Sequence, residues 1–160
     1  MKRNLATLFT IMMAANLFAQ EFPQPESPPA QSEMPTYEIG VILGFPTGLS
    51  GKYWQNNRSA FDAALSWNFG DDASFEVHAD YLYHPIYFNV PQGNLPLYVG
   101  GGVAVYLTDD PTVGARIPVG LEYLFNRAPL SVFLELAPVV EIIPSTGFTM
   151  SGGLGVRYTF

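Results

Sequence analysis

The chain contains no cysteine, which removes disulfides, thiolate metal centres and thiol nucleophiles together. Charge is also scarce. Asp, Glu, Lys and Arg make up 13% of the 160 residues, about half of the ~25% usual in a soluble domain. Cations are the scarcer sign, 7 Lys and Arg against 14 Asp and Glu, for a net charge of −7. Such a chain has no basic footprint for phosphates, so nucleic acid is not an expected partner. No stretch past the N-terminus approaches the ~18–20 consecutive apolar residues of a spanning helix. What is abundant is aromatic and turn-forming: 14% Phe, Trp and Tyr, with 15 glycines and 14 prolines. An aromatic-rich, charge-poor chain is not a disordered one, and the length fits a single domain.

The N-terminus has the grammar of a secretory leader. Lys2 and Arg3 are followed by an apolar run from Leu5 to Ala15, and small Ala19 follows Leu17 and Phe18. We place a signal peptide at 1–19, cleaved between Ala19 and Gln20. Its apolar core is too short to span a bilayer. Residues 20–35 carry five prolines, three glutamates and no apolar periodicity. They are expected to form a solvated, proline-rich periplasmic tether. Residues 36–160 are read as one domain.

That domain alternates. Phe148, Met150, Leu154, Val156, Tyr158 and Phe160 face one way, and Thr149, Ser151, Gly153, Gly155, Arg157 and Thr159 the other. Such period-2 patterning marks strands with two unlike faces. The same pattern runs through 130–142, 116–125, 95–107, 74–84, 59–69, 48–54 and 37–45, which makes eight strands. Turn signals separate them: Phe45-Pro46-Thr47-Gly48, Gln55-Asn56-Asn57-Arg58, Gly70-Asp71-Asp72, Asp109-Asp110-Pro111, Asn126-Arg127-Ala128-Pro129 and Pro144-Ser145-Thr146-Gly147. The longest connection is expected over 85–94. The reading is all-β, an eight-stranded antiparallel up-and-down barrel.

Alternation alone fits a soluble, lipocalin-like barrel as well as a membrane one, with inside and outside exchanged. Four observations favour the transmembrane form. The polar face is rich in small residues (Gly100, Gly102, Ala104, Gly153, Gly155), as a narrow lumen requires. Its charges are of both signs and can pair. Aromatics such as Tyr37, Tyr53, Phe75, Tyr123 and Phe148 collect toward the ends of the apolar faces, where interfacial girdles sit. The last strand runs to a terminal aromatic, Phe160.

The leader, the eight amphipathic strands and the ending Gly155-Val156-Arg157-Tyr158-Thr159-Phe160 resemble small outer-membrane β-barrels of diderm bacteria, the OmpA/OmpX-like class. Three further segments resemble an uncharacterised family of such barrels: Pro46-Thr47-Gly48-Leu49-Ser50-Gly51-Lys52-Tyr53-Trp54, Arg116-Ile117-Pro118-Val119-Gly120-Leu121 and Phe133-Leu134-Glu135-Leu136-Ala137-Pro138. The resemblance implies an outer-membrane location, outer-membrane lipid as surroundings and no catalytic motif. It also implies that Val156, Tyr158 and Phe160 form a signal for the barrel-assembly machinery.

By strand phase, the lumen should hold Glu38, Lys52, Asp62, Glu76, His78, Asp80, His84, Arg116, Glu122, Glu135, Glu141 and Arg157. Seven carboxylates then face three permanent cations and two histidines. Buried ions must pair, so a lumen-filling ion-pair network is expected, plugging the barrel. An eight-stranded barrel has room for little beyond its own side chains. No nucleophile elbow or metal-binding helix motif occurs, and His78 and His84 stand about 20 Å apart on an ideal strand. We therefore expect no enzyme, no metal and no cofactor, and a monomer with a structural or accessory role. The competing readings are a narrow cation or proton pore and a surface binder of host or phage ligands. Outward connections of four or five residues weigh against the binder, since recognition tends to reside in long loops.

Overall fold

The computed structural model describes residues 25–30, 33–45, 47–68, 74–108 and 110–160. The leader, Pro46, Phe69, the Gly70-Asp71-Asp72 turn and Asp109 lie outside the described residues. Ten strands form: β1 Pro25–Glu26, β2 Tyr37–Phe45, β3 Thr47–Trp54, β4 Ser59–Asn68, β5 Ser74–Val90, β6 Gly93–Leu107, β7 Thr112–Arg116, β8 Val119–Phe125, β9 Leu130–Ile143 and β10 Gly147–Thr159. All pairings are antiparallel. β2 to β6 pair in sequence, β6 pairs with both β7 and β8, and these pair with β9. β9 pairs with β10, and β10 returns to β2, closing a ring of eight walls.

The ring puts its apolar residues outside. Among the described residues, 32 large apolar side chains are exposed, including Phe45, Leu136 and Phe148. Glu38, Lys52, Asp62, Arg116, Glu122 and Arg157 are almost wholly buried. This inverts the usual water-soluble arrangement, in which charged groups are rarely buried. Register follows from the same alternation, because a one-residue slip would turn every side chain to the wrong face. One row of cross-strand partners lines up Glu38, Lys52, Asp62, Asp80, Gly102 and Arg116, all directed inward. The next outward-facing row, nearer the chain termini, lines up Tyr37, Tyr53, Phe61 and Tyr81. Their rings meet at 5.2 Å (Tyr37–Tyr53) and 5.3 Å (Phe61–Tyr81).

Three elements differ from the sequence reading. Residues 85–94 are not a long connection. β5 runs to Val90 and β6 begins at Gly93, with a register shift between Tyr83 and Ile86 where Pro85 cannot donate to the ladder. Pairing resumes beyond the shift, so the two strands continue as a hairpin past the end of β4, with the β6 arm still paired to β8. The wall over 112–125 is split into β7 and β8 at Ile117 and Pro118. There the ladder is carried by Ile117 N donating to Pro138 O at 3.0 Å and Gly100 N donating to Pro118 O at 2.8 Å.

The third element is the proline-rich segment, expected as a solvated tether, whose described part touches the barrel at two places. Pro25 and Glu26 pair with Phe88 and Tyr87 on the β5 extension, and Met34 is buried against Trp54, Ala60 and Leu124. The β5 extension offers an unpaired strand edge past the barrel wall, and the segment occupies part of it.

Candidate functional site

The site is the lumen, built because each wall alternates and the ring turns every polar face inward. Lys52 on β3 reaches across to Glu122 on β8. Arg157 on β10 bridges Glu122 at 3.1 Å and Asp62 on β4 at 2.5 Å. Its Nε and Nη2 also donate to Ser50 Oγ at 3.0 and 2.8 Å. A second cluster joins Arg116 on β7 to Asp80 on β5 and, at 2.6 Å, to Glu135 on β9. Tyr98 OH donates to the other Glu135 oxygen at 2.9 Å. Three permanent cations thus serve four carboxylates. All of these pairs except Arg116–Glu135 join walls that are not sheet neighbours, so they tie the cross-section of the barrel as well as neutralising charge.

Aromatic rings complete the filling. Lys52 Nζ lies 4.1 Å from the Trp54 ring centre, and the Arg157 guanidinium 3.7 Å from that of Phe133. Both are cation–π distances. Two glycines make this possible. A Cβ at Gly155 would strike the Phe133 ring and one at Gly120 the Tyr98 phenol, so each large lumen ring lies over a residue with no side chain.

Other candidate residues are held differently. Glu38 accepts from Trp54 Nε1 and Ser131 Oγ, each at 2.5 Å, and has no ion pair among the described residues. Glu76 meets His78 Nδ1 at 3.0 Å. Glu141 is half-buried and accepts from Thr149 rather than from a cation. Neither Glu38 nor Glu141 therefore belongs to an ion-pair network in the strict sense. Glu38 has Lys52 as its cross-strand partner, but its direct hydrogen bonds come from neutral donors.

His84, fully buried, stacks on Trp54 with ring centres 4.3 Å apart, and its Nε2 lies 3.2 Å from Lys52 Nζ. Val156, Tyr158 and Phe160 lie on the outer face of β10, all exposed. Ser50, Ser131 and Trp54 entered as polar partners without a sequence signal. Their spacing marks them only as inward-facing, and cross-barrel distance decides whom they meet.

Ligand atoms of Asp62, His78 and Asp80 lie within 4.8 Å of one another. Both carboxylates are already bonded to Arg157 and Arg116. A guanidinium on each carboxylate opposes a divalent cation, so this trio reads as part of the ion network. No serine oxygen is hydrogen-bonded to either histidine among the described residues, so there is no nucleophile–base pair of the Ser–His kind.

Among the described residues, four buried polar atoms have no partner: Ser66 Oγ, Tyr106 OH, Asp80 Oδ1 and Arg116 Nε. They lie on β4 to β7. Ser66 and Tyr106 share one row through Glu76, and Asp80 and Arg116 share another through Gly102. The row between holds Ala64, His78, Ala104 and Gly114, so its side chains other than His78 are small.

No family model and no curated protein matches the sequence. Among solved structures, the N-terminal β-barrel domain of Pseudomonas aeruginosa OprF is similar, with a TM-score of 0.59 and 20% identity over 78% of this chain and 95% of that one. The chain shares with that domain the fold itself, an all-β antiparallel barrel of eight strands.

Proposed function

We propose that the protein is an integral outer-membrane β-barrel with a filled polar lumen and a structural or accessory role, without catalytic activity. The observation that carries this is the inverted solvation. Among the described residues, thirty-two large apolar side chains cover the outside while ion pairs fill the inside. In water such a surface would far exceed the apolar patches that monomers tolerate. Against lipid it is the expected outer band, and the Tyr37–Tyr53–Phe61–Tyr81 row suits the interfacial girdle. The likeness to a barrel domain of OprF supports the same reading, as does the leader pattern at 1–19. With the termini on the periplasmic side, the connections at the other end face outward. Val156, Tyr158 and Phe160 then present the assembly signal to the barrel-assembly machinery, and lipid is the main partner of a monomer.

The test is electrophoresis of outer-membrane fractions, unheated and boiled. A folded barrel resists SDS, so a band in that fraction that shifts on boiling is expected. Recovery as a soluble periplasmic protein with no shift would sink the proposal. A second reading, a narrow cation or proton path, is favoured by the four unpartnered polar atoms beside Glu76 and His78, since water would have to solvate them. Single-channel recording distinguishes it: conductance that falls in Glu76→Gln or Asp80→Asn supports the path, and a silent membrane removes it. A surface-binding role finds less support, because the outward connections are short.

A further inference from the structure

The lumen polar groups nearest the chain termini are stacked in order from the mouth inward. Met34 is buried in one apolar cluster with Trp54, Ala60 and Leu124, the Trp54 ring lies tilted against His84 with centres 4.3 Å apart, and Lys52 lies over Trp54 and beside His84 before reaching Glu122. Met34 is the one residue of this stack that does not belong to the barrel wall. It comes from the proline-rich segment, which crosses the mouth from its two-residue pairing at Tyr87 and Phe88 to Thr36 at the start of β2.

Four of the segment's described residues are prolines, which donate no backbone hydrogen bond, and its pairing with β5 spans two residues among those described. Asn57 Nδ2 donates to Pro29 O at 3.1 Å. Between segment and rim lies a cavity of about 710 Å³, lined by Glu26, Glu33, Met34, Phe125 and Phe160 among others. A segment that bridges a void, with its one buried apolar side chain in the mouth, has the form of a strap with a stopper.

We propose that residues 25–30 and 33–35 act as a releasable intramolecular strap and that Met34 closes the periplasmic mouth of the lumen. Release uncovers Trp54, Ala60 and Leu124 and admits water to the His84–Lys52–Glu122 stack. It also frees the strand edge at Tyr87 and Phe88. This inference rests on the filled-lumen reading and adds what closes its periplasmic end.

The chain has only two tryptophans, Trp54 and Trp67, and no cysteine. In the full chain carrying Trp67→Phe, Trp54 is a single fluorescent reporter directly beneath the stopper. Met34→Asp should red-shift its emission and raise quenching by acrylamide severalfold. Met34→Ala should act in the same direction, lowering the closed-to-open ratio by roughly tenfold on loss of the buried apolar surface.

The strap can also be locked. Pro25 and Phe88 are antiparallel partners, whose Cα separation of about 4.5–5.5 Å suits a disulfide. With Pro25→Cys and Phe88→Cys oxidised, Trp54 should be shielded, and reduction should restore quenching. Unchanged quenching in both Met34 variants overturns the stopper. Equal quenching of the oxidised and reduced pair overturns release. The readout needs only the folded barrel in detergent micelles, so its failure leaves the outer-membrane reading standing, and a failed fractionation leaves the strap standing.

Discussion

Arg157 shows how much of the lumen depends on single side chains. One guanidinium serves Glu122, Asp62 and Ser50 from three different walls. Arg157→Leu leaves two buried carboxylates short of a cation, and breaking a buried pair costs about 3–5 kcal/mol. The urea midpoint for loss of the SDS-resistant form should fall accordingly. Arg157→Lys should recover only part of it, since an ammonium has no planar fork to reach three partners.

Gly120 fails in the opposite way, by crowding. Gly120→Ala drives a methyl into the Tyr98 phenol, and overpacking costs about 1–3 kcal/mol. Tyr98→Phe removes the hydroxyl that both meets that methyl and donates to Glu135. The double variant should therefore be less destabilised than the sum of the two singles. Additive losses would show that Tyr98 simply moves aside.

At the scale of elements, the β5–β6 hairpin beyond Pro85 stands apart from the closed ring. Its tip is held by Tyr87 OH donating to Asn57 O at 2.7 Å, by Gly93, Asn94 and Leu97 pairing with β8, and by Pro25–Glu26. Tyr87→Phe removes one hydrogen bond, worth about 1 kcal/mol net. Amide hydrogen exchange should quicken over 86–97 and stay unchanged in the β3–β4–β5 rows. Faster exchange throughout would mean that the hairpin and barrel open together. Proline marks two of the irregularities, Pro85 in β5 and Pro118 between β7 and β8, while a third register shift lies between β7 and β9 at Val113 and Gly114. Each proline removes a ladder donor, and neither could be assigned to bulge or break without knowing what its neighbour strand offers.

The whole molecule is defined by which solvent each face meets. Leu136, 62% exposed on the outer face of β9, is a direct probe. Leu136→Arg should fold in detergent yet insert poorly into lipid vesicles, by about 2–4 kcal/mol near the bilayer centre. If the outside faced water, the same change would fall within about ±0.5 kcal/mol. Insertion yield into vesicles of known thickness checks it.

Alternation in residues 37–160 was enough to fix the eight walls of the ring and which face of each is apolar, because a period of two is written directly in the order of residues. Small inward residues opposite large ones also announced a narrow interior. What each charge meets was not legible. Lys52 finds Glu122, and Arg157 finds Asp62 and Ser50, across a closed ring whose stagger no single strand encodes. For the same reason Glu38 could not be separated from the ion pairs it resembles in sequence. Met34 is the sharpest case. Nothing in a run of prolines and glutamates marks one methionine as buried, and only the closed ring, with a mouth to fill and a spare strand edge beside it, gives that side chain a place.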